Sequence, residues 1–257
     1  MPVEYTGRSD PGRTIELLWG LRSSATRGPK PGMTVDRIVT AAIAIADRDG
    51  IDALSMRRVA EQLETGTMSL YRYIPAKAEL LDVMVDRVCG EVSKPSRRAP
   101  TWRKRLEVVA RTNRELLERH PWLLEVSTLH PPLGPGVLAK YEHELEAVDG
   151  IGLTDVEMDA VVSLVVGYVR AAVQTAVEAE RARARPGHSD DEWWTALAPF
   201  LEQVFDPERY PLAARVGVAA TEHYDGVYNL DFAFEFGLQR VLDGIGVVVE
   251  SRRSPPA

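Results

Sequence analysis

The chain has 257 residues, 45% of them hydrophobic and 27% charged. That composition excludes collagen-like, low-complexity and disulfide-scaffold classes and suits one large or two modest globular domains. Its net charge is −7, yet residues 1–100 carry 15 Lys+Arg against 13 Asp+Glu while the remainder carries 16 against 25. The asymmetry turns the first part toward nucleic acid and the second away from it, although so small a positive balance decides nothing alone.

Residues 1–32 form an N-terminal extension expected to be partly flexible. It lacks an apolar core segment and carries Glu4 and Asp10, which argues against a signal peptide. Within it, residues 11–21 suit a short helix with Ile15, Leu18 and Trp19 on one face. Residues 23–32, SSATRGPKPG, are a turn-rich connector. Arg22, Arg27 and Lys30 there are either a basic arm along phosphates or the minor groove, or incidental charges on a floppy leader.

The next unit, residues 33–92, opens with a helix over 34–49. Thr34 suits its N-cap and Asp36 the positive end of the helix dipole. Ile38, Ala41, Ala42, Ile45 and Ala46 share its inner face, and Gly50 suits the left-handed C-cap. Ser55 caps a second helix whose inward stripe is Val59, Ala60 and Leu63. Residues 64–66, Glu-Thr-Gly, make a turn, and residues 67–73 a third helix too short to stand without neighbours. Pro75 stops it, because its ring removes a donor and disfavours helix at Ile74. A longer helix opens near Ala76 and Lys77 and carries Leu80, Leu81, Met84, Val85 and Val88 inward. Two short helices on a tight turn, followed by a third, are the layout of a helix-turn-helix, whose second helix enters the DNA major groove.

Residues 93–101, SKPSRRAPT, read as a linker, and residues 102–250 as a helical body. The spacing predicts helices over 102–119, 137–148, 154–184, 190–205 and 228–244. Breaks fall at His120-Pro121 and at residues 133–136, and loops at 186–191 and 217–227. The most apolar run, residues 160–177, is interrupted by Arg170 and Gln174, so it reads as a helix buried between others and not as a membrane span. Residues 251–257 read as a disordered tail. No strand alternation of useful length, internal repeat or low-complexity tract is present.

The head carries a resemblance. TVDRIVTAAIAIADRDGIDALSMRRVAEQL followed by TGTMSLYRYIPAKAELLDVMVD resembles the DNA-binding domain of the TetR family of bacterial transcriptional regulators. The pairing of an LYRY-type recognition helix with a following Lys-x-x-Leu-Leu is specific to that family. HPWLLEVSTLHPPLGPGVLAKYEHELEAV and FEFGLQRVLDGI are similar, more weakly, to the ligand-binding half of regulators near the tetracycline repressor. The resemblance implies an all-α protein: a three-helix helix-turn-helix head followed by a helical-bundle ligand-binding and dimerisation body. It implies DNA contacts from Arg57, Thr67, Met68, Ser69, Tyr71, Arg72 and Lys77. Of these, Tyr71 and Lys77 would meet phosphates, the latter helped by the helix dipole, while Leu70 and Tyr73 pack inward. It places the dimer bundle on helices around residues 161–177 and 232–242. Read without the family, Arg57, Arg58 and Arg72 are better taken as a solvated face, while Met68 as gap-filling core is disfavoured because Leu70 and Ile74 already supply the buried face.

Two positions depart from the family pattern. Glu64 stands in the turn where the family usually has glycine, at a cost of about 1 kcal/mol if the backbone there is left-handed. Ala76 replaces the usual capping residue before Lys77.

Catalytic patterns are absent: no phosphate-cradling Gly-x-x-x-x-Gly-Lys, no Gly-x-Gly-x-x-Gly, no Gly-x-Ser-x-Gly and no His-Glu-x-x-His. The single cysteine, Cys89, excludes an internal disulfide and a cysteine-based zinc site. His143-Glu144 reads as a solvated helix face in preference to a metal pair. The expected protein is therefore not an enzyme and needs no metal or cofactor. It is a cytoplasmic, homodimeric repressor that binds a near-palindromic double-stranded DNA operator and is released by a small-molecule effector. Candidate effector contacts are His120, Trp122, Tyr168, Gln174 and Phe200. The alternative is a helical small-molecule-binding or protein-interaction module with degenerate DNA binding.

Overall fold

In a computed structural model, residues 4–21, 32–92, 100–127, 129–183, 190–224 and 229–253 are described. They form eleven α-helices and one two-stranded parallel pair. The head consists of α2 (Val35–Asp49), α3 (Met56–Gln62), α4 (Thr67–Tyr71) and the start of α5 (Lys77–Cys89). Thr34 caps α2 by accepting from the Arg37 amide, and Gly50 ends it at φ 82°. Ser55 caps α3 in the same way, accepting from the Arg58 amide. The stripe spacing expected of these helices becomes a common core. Ile38 and Ala42 of α2, Val59 of α3, Leu70 of α4 and Leu80 and Met84 of α5 are all fully buried.

The body is built on α6 (Trp102–Arg119), α7 (Pro135–Glu146), α8 (Asp155–Arg183) and α11 (Leu230–Arg253). A 3₁₀ segment, Pro121–Glu125, turns the chain between α6 and α7. Helix α8 buries Val162, Val165, Val169 and Val173, one stripe at helical spacing, against α6 and α11. By length and composition α8 is apolar enough to cross a membrane. Arg170, however, sits mid-helix and donates to the carbonyls of Leu123, Leu124 and Val126 at 2.8–3.1 Å, which ties α8 to the 3₁₀ segment.

Several expectations need correction. The N-terminal extension is docked over residues 4–21. β1 (Glu4–Tyr5) pairs with β2 (Val126–Ser127), and the fully buried Asp82 of α5 accepts from the Gly7 amide and the Ser9 hydroxyl. Helix α1 spans only Pro11–Leu18. It buries Thr14 and Leu18 and leaves Ile15 and Trp19 largely exposed, because the surface it meets is polar around Asp82. The basic positions Arg22, Arg27 and Lys30 and most of the 93–101 linker lie outside the described residues. The expected loop over 217–227 is helical as far as Tyr224, within α10 (Pro211–Tyr224), because Ala, Val and Thr dominate it and a lone Gly217 does not break a helix. Helix α11 runs on to Arg253 into the predicted tail, since Ile245 and Val249 continue its buried stripe. His143 and Glu144 are buried, not solvated: Glu144 accepts from Asn113 and Lys140 between α6 and α7.

Candidate nucleic-acid interface and effector cavity

The turn between α3 and α4 sets the angle of the second helix. Glu64 takes φ 52°, the left-handed value that the departure from glycine foreshadowed, and is the single non-glycine residue with positive φ among the described residues. Helix α4 is five residues long, shorter than the seven expected, because the chain leaves the helix ahead of Pro75. Leu70 anchors it in the core and Tyr73 is partly buried against the same cluster. Its outer face presents Met68, 78% exposed, with Tyr71 and Arg72 also exposed and Thr67 and Ser69 half-buried. So exposed a side chain is not core filling.

The basic side chains divide. Arg72 has no ion-pair partner among the described residues. Arg57 is 83% exposed and only loosely paired with Glu61 at 3.5 Å, an interaction worth little in water. Arg58 is held by Asp49 of α2 at 2.7 Å. Lys77, the first residue of α5, pairs with Glu4 of the docked N-terminal segment at 2.8 Å. Ala76 precedes it as an N-cap with no side-chain bond, so the amides at that helix end are not satisfied by the cap side chain.

The five candidate effector residues are not brought together. His120 and Trp122 are buried side by side, and both meet Asp47 of α2: imidazole Nδ1 lies 2.7 Å and indole Nε1 2.8 Å from its Oδ1. Tyr168 donates to the Phe234 carbonyl between α8 and α11. Gln174 bonds Glu178 on its own helix, and Phe200 is exposed on α9 (Asp190–Val204). Of the five, Trp122 alone lines a cavity of about 910 Å³. That cavity opens between the head and the body. Ile51 and Asp52 of the 3₁₀ turn after α2 form one wall, and Pro121, Val173, Ala176 and Val177 of the body form the other. Its volume is that of a site for a drug-sized molecule.

Comparison with known proteins decides the family. Residues 94–249 match the family described as tetracyclin repressor-like, C-terminal domain, and residues 38–84 match the bacterial regulatory proteins of the tetR family. The chain belongs to the TetR family. It is 44% identical over 257 residues to the HTH-type transcriptional repressor DrrR1 of Streptomyces coeruleorubidus, covering 99% of this chain and 93% of the relative. Among solved structures, apo ActR from Streptomyces coelicolor superposes with a TM-score of 0.70 at 27% identity, covering 87% of this chain and 99% of that one. ActR in complex with actinorhodin gives 0.66 at 28% identity, covering 85% and 99%.

As a TetR family member the chain is a DNA-binding transcriptional regulator and not an enzyme. Sequence reasoning missed three features of this TetR protein. Asp47, the acceptor shared by His120 and Trp122, reads in sequence as one more acidic residue near a helix end. The cavity's head wall was missed because Ile51 and Asp52 sit in a segment that looks like a plain connector. Glu4, the partner of Lys77, lies 73 residues away, and no local pattern links the two.

Proposed function

We propose that this protein acts in the cytoplasm as a homodimer, reads a near-palindromic operator through α4, and releases it when a small molecule occupies the cavity between head and body. In this reading Thr67, Met68, Ser69 and Arg72 face bases, Tyr71 and Lys77 meet phosphates, and Arg57 meets a base or a phosphate. Two recognition helices about 34–36 Å apart would enter successive major grooves. The observation that carries the effector part is the cavity's construction. Its walls come from the turn after α2 and from α8, so a bound molecule touches both units at once. Such a molecule shifts the head only through differential affinity. Moving a 99:1 population to 1:99 takes about 10⁴-fold, or roughly 5.5 kcal/mol. The exposed apolar side chains of α8 and α11, Leu164, Phe236 and Val247 among them, support a partner copy on that face.

Selection of bound fragments from a random DNA library at physiological salt tests the reading, since low salt rewards any basic surface. An enriched palindrome is the expected result. The alternative, an interaction module with degenerate DNA binding, draws on the Glu64 carboxylate in the turn and on the Glu4 carboxylate beside Lys77. A folded dimer that enriches nothing would favour it.

A further inference from the structure

The N-terminal segment is held from two sides. On the body side, β1 lies parallel to β2 with Glu4 opposite Val126. The amide of the buried Thr6 donates to the Ser127 carbonyl at 3.2 Å, and its hydroxyl lies 3.0 Å from that carbonyl and 2.8 Å from the His130 carbonyl. Gly7 turns at φ 71°, so near His130 that a Cβ there would come within 3.1 Å of the His130 carbonyl oxygen. On the head side, the Gly7 amide and the Ser9 hydroxyl donate to the two oxygens of the buried Asp82, at 3.0 and 2.6 Å. Held in this way, the segment sets the Glu4 carboxylate 2.8 Å from the Lys77 ammonium, with the two side chains 35% and 34% exposed. β2 in turn follows directly on the 3₁₀ segment Pro121–Glu125, of which Pro121, Trp122 and Glu125 line the cavity.

We propose that the docked N-terminal segment is an internal competitor for DNA: the Glu4 carboxylate occupies the Lys77 ammonium in place of a backbone phosphate. The inference rests on the phosphate-binding role given to Lys77 above and adds an autoinhibitory contact to it. Carboxylate and phosphate oxygens are alternative acceptors for one ammonium, so Lys77 must leave Glu4 to meet DNA. The competition is reversible, because a partly solvated ion pair is worth little and a duplex offers many phosphates. The strand pairing also gives the competitor an anchor in the body. Glu4 pairs through β2 with the stretch of chain that lines the cavity, so a shift of that stretch alters how Glu4 meets Lys77. The cavity and the DNA-binding edge are thereby joined through the N-terminal segment as well as through the turn after α2.

The test titrates the full-length protein into a fluorescein-labelled duplex of random sequence at low salt, where phosphate contacts carry the binding, and reads anisotropy. Glu4→Gln should tighten binding about threefold, the order set by a partly solvated ion pair. In a Lys77→Ala background the same substitution should change nothing, because the competition is for that ammonium. Gly7→Val keeps the Glu4 charge but cannot keep the turn beside His130, so it should tighten binding to a similar extent. Thermal melting checks the folding of each variant; if Gly7→Val does not fold, Glu4→Gln and its Lys77→Ala cycle decide alone. Unchanged or weaker binding by Glu4→Gln overturns the proposal. So does a gain that persists without Lys77, which would report only the loss of a negative charge near DNA. A folded Gly7→Val protein with unchanged affinity overturns it too. Palindrome selection reads out separately. If it fails while the Lys77-dependent gain appears, the operator reading falls and the competitor stands; a palindrome without that gain gives the reverse.

Discussion

At the residue scale, the proposed interface would separate base-reading from phosphate-binding groups. Arg72, exposed at the C-terminal end of α4, has no ion-pair partner among the described residues, so Arg72→Ala should relax sequence preference at one operator position and cost about 1–3 kcal/mol there. Lys77 stands at the N-terminus of α5, so Lys77→Ala should weaken binding to all sequences alike and reduce the salt slope by about 1. Fluorescence binding isotherms on specific and scrambled duplexes at several salt concentrations separate the two, and equal loss of specificity from both would refute the division. Glu64 holds its left-handed backbone at a cost that glycine does not bear. Glu64→Gly should therefore raise stability by about 1 kcal/mol, a melting shift of roughly 2–4 °C in a protein of this size. Cys89 makes a third case. Burial pushes its thiol up to about 11, with Lys140 pulling weakly downward. The reactive thiolate is therefore scarce at neutral pH, and alkylation by iodoacetamide at pH 8 should run roughly a hundredfold slower in the folded protein than after unfolding.

At the element scale, the close approach of α5 and α7 depends on two glycines. The Asp86 carboxylate of α5 accepts from the Val137 amide at 2.8 Å, capping the start of α7, and burial raises its pKa against that bond. A side chain at Gly134 would strike this carboxylate, and one at Gly136 would strike the Asp86 backbone carbonyl. Backbone cannot swing aside as a flexible side chain does. Gly136→Ala should accordingly destabilise the fold by about 1–3 kcal/mol, read as a lower urea midpoint with an unchanged slope. The N-terminal segment is a second element-scale contact. It ties β2 in the body to Lys77 and Asp82 of α5, so the same short strand reaches both the effector-side chain and the edge of the DNA-binding head.

At the scale of the whole molecule, one copy leaves much apolar surface uncovered. On α11, Phe234, Leu238, Leu242 and Ile245 turn inward, while Phe232, Phe236, Val247 and Val248 stay exposed; on α8, Val156 and Leu164 do the same. Apolar groups on both sides of neighbouring helices are the signature of a bundle completed by another chain. On the proposed dimer reading, Phe236→Arg should yield a monomer by light scattering and lose palindromic operator binding while keeping its helical signal. A variant that remains dimeric would place the interface elsewhere. Helices α9 and α10 add Trp193, Phe200 and Val216 to the exposed set, and no residue of α10 is buried.

How much of this was legible in advance follows from the range of the forces involved. Caps, stripes and breakers act within a few residues. The helices of the head and the burial of α8 could be read from spacing, while the left-handed strain at Glu64 and the inward Leu70 came with the family resemblance. The membership of the family was carried by the recognition helix and the Lys-x-x-Leu-Leu after it. The sequence by itself determined an all-α chain with a DNA-reading head. Only the tertiary structure decided what meets across distance: Lys77 with Glu4, Asp82 with Gly7 and Ser9, and Asp47 with both His120 and Trp122. It also scattered the five candidate effector residues and placed the cavity against the turn after α2, because a cavity is the space left between packed elements and no single stretch of chain encodes it.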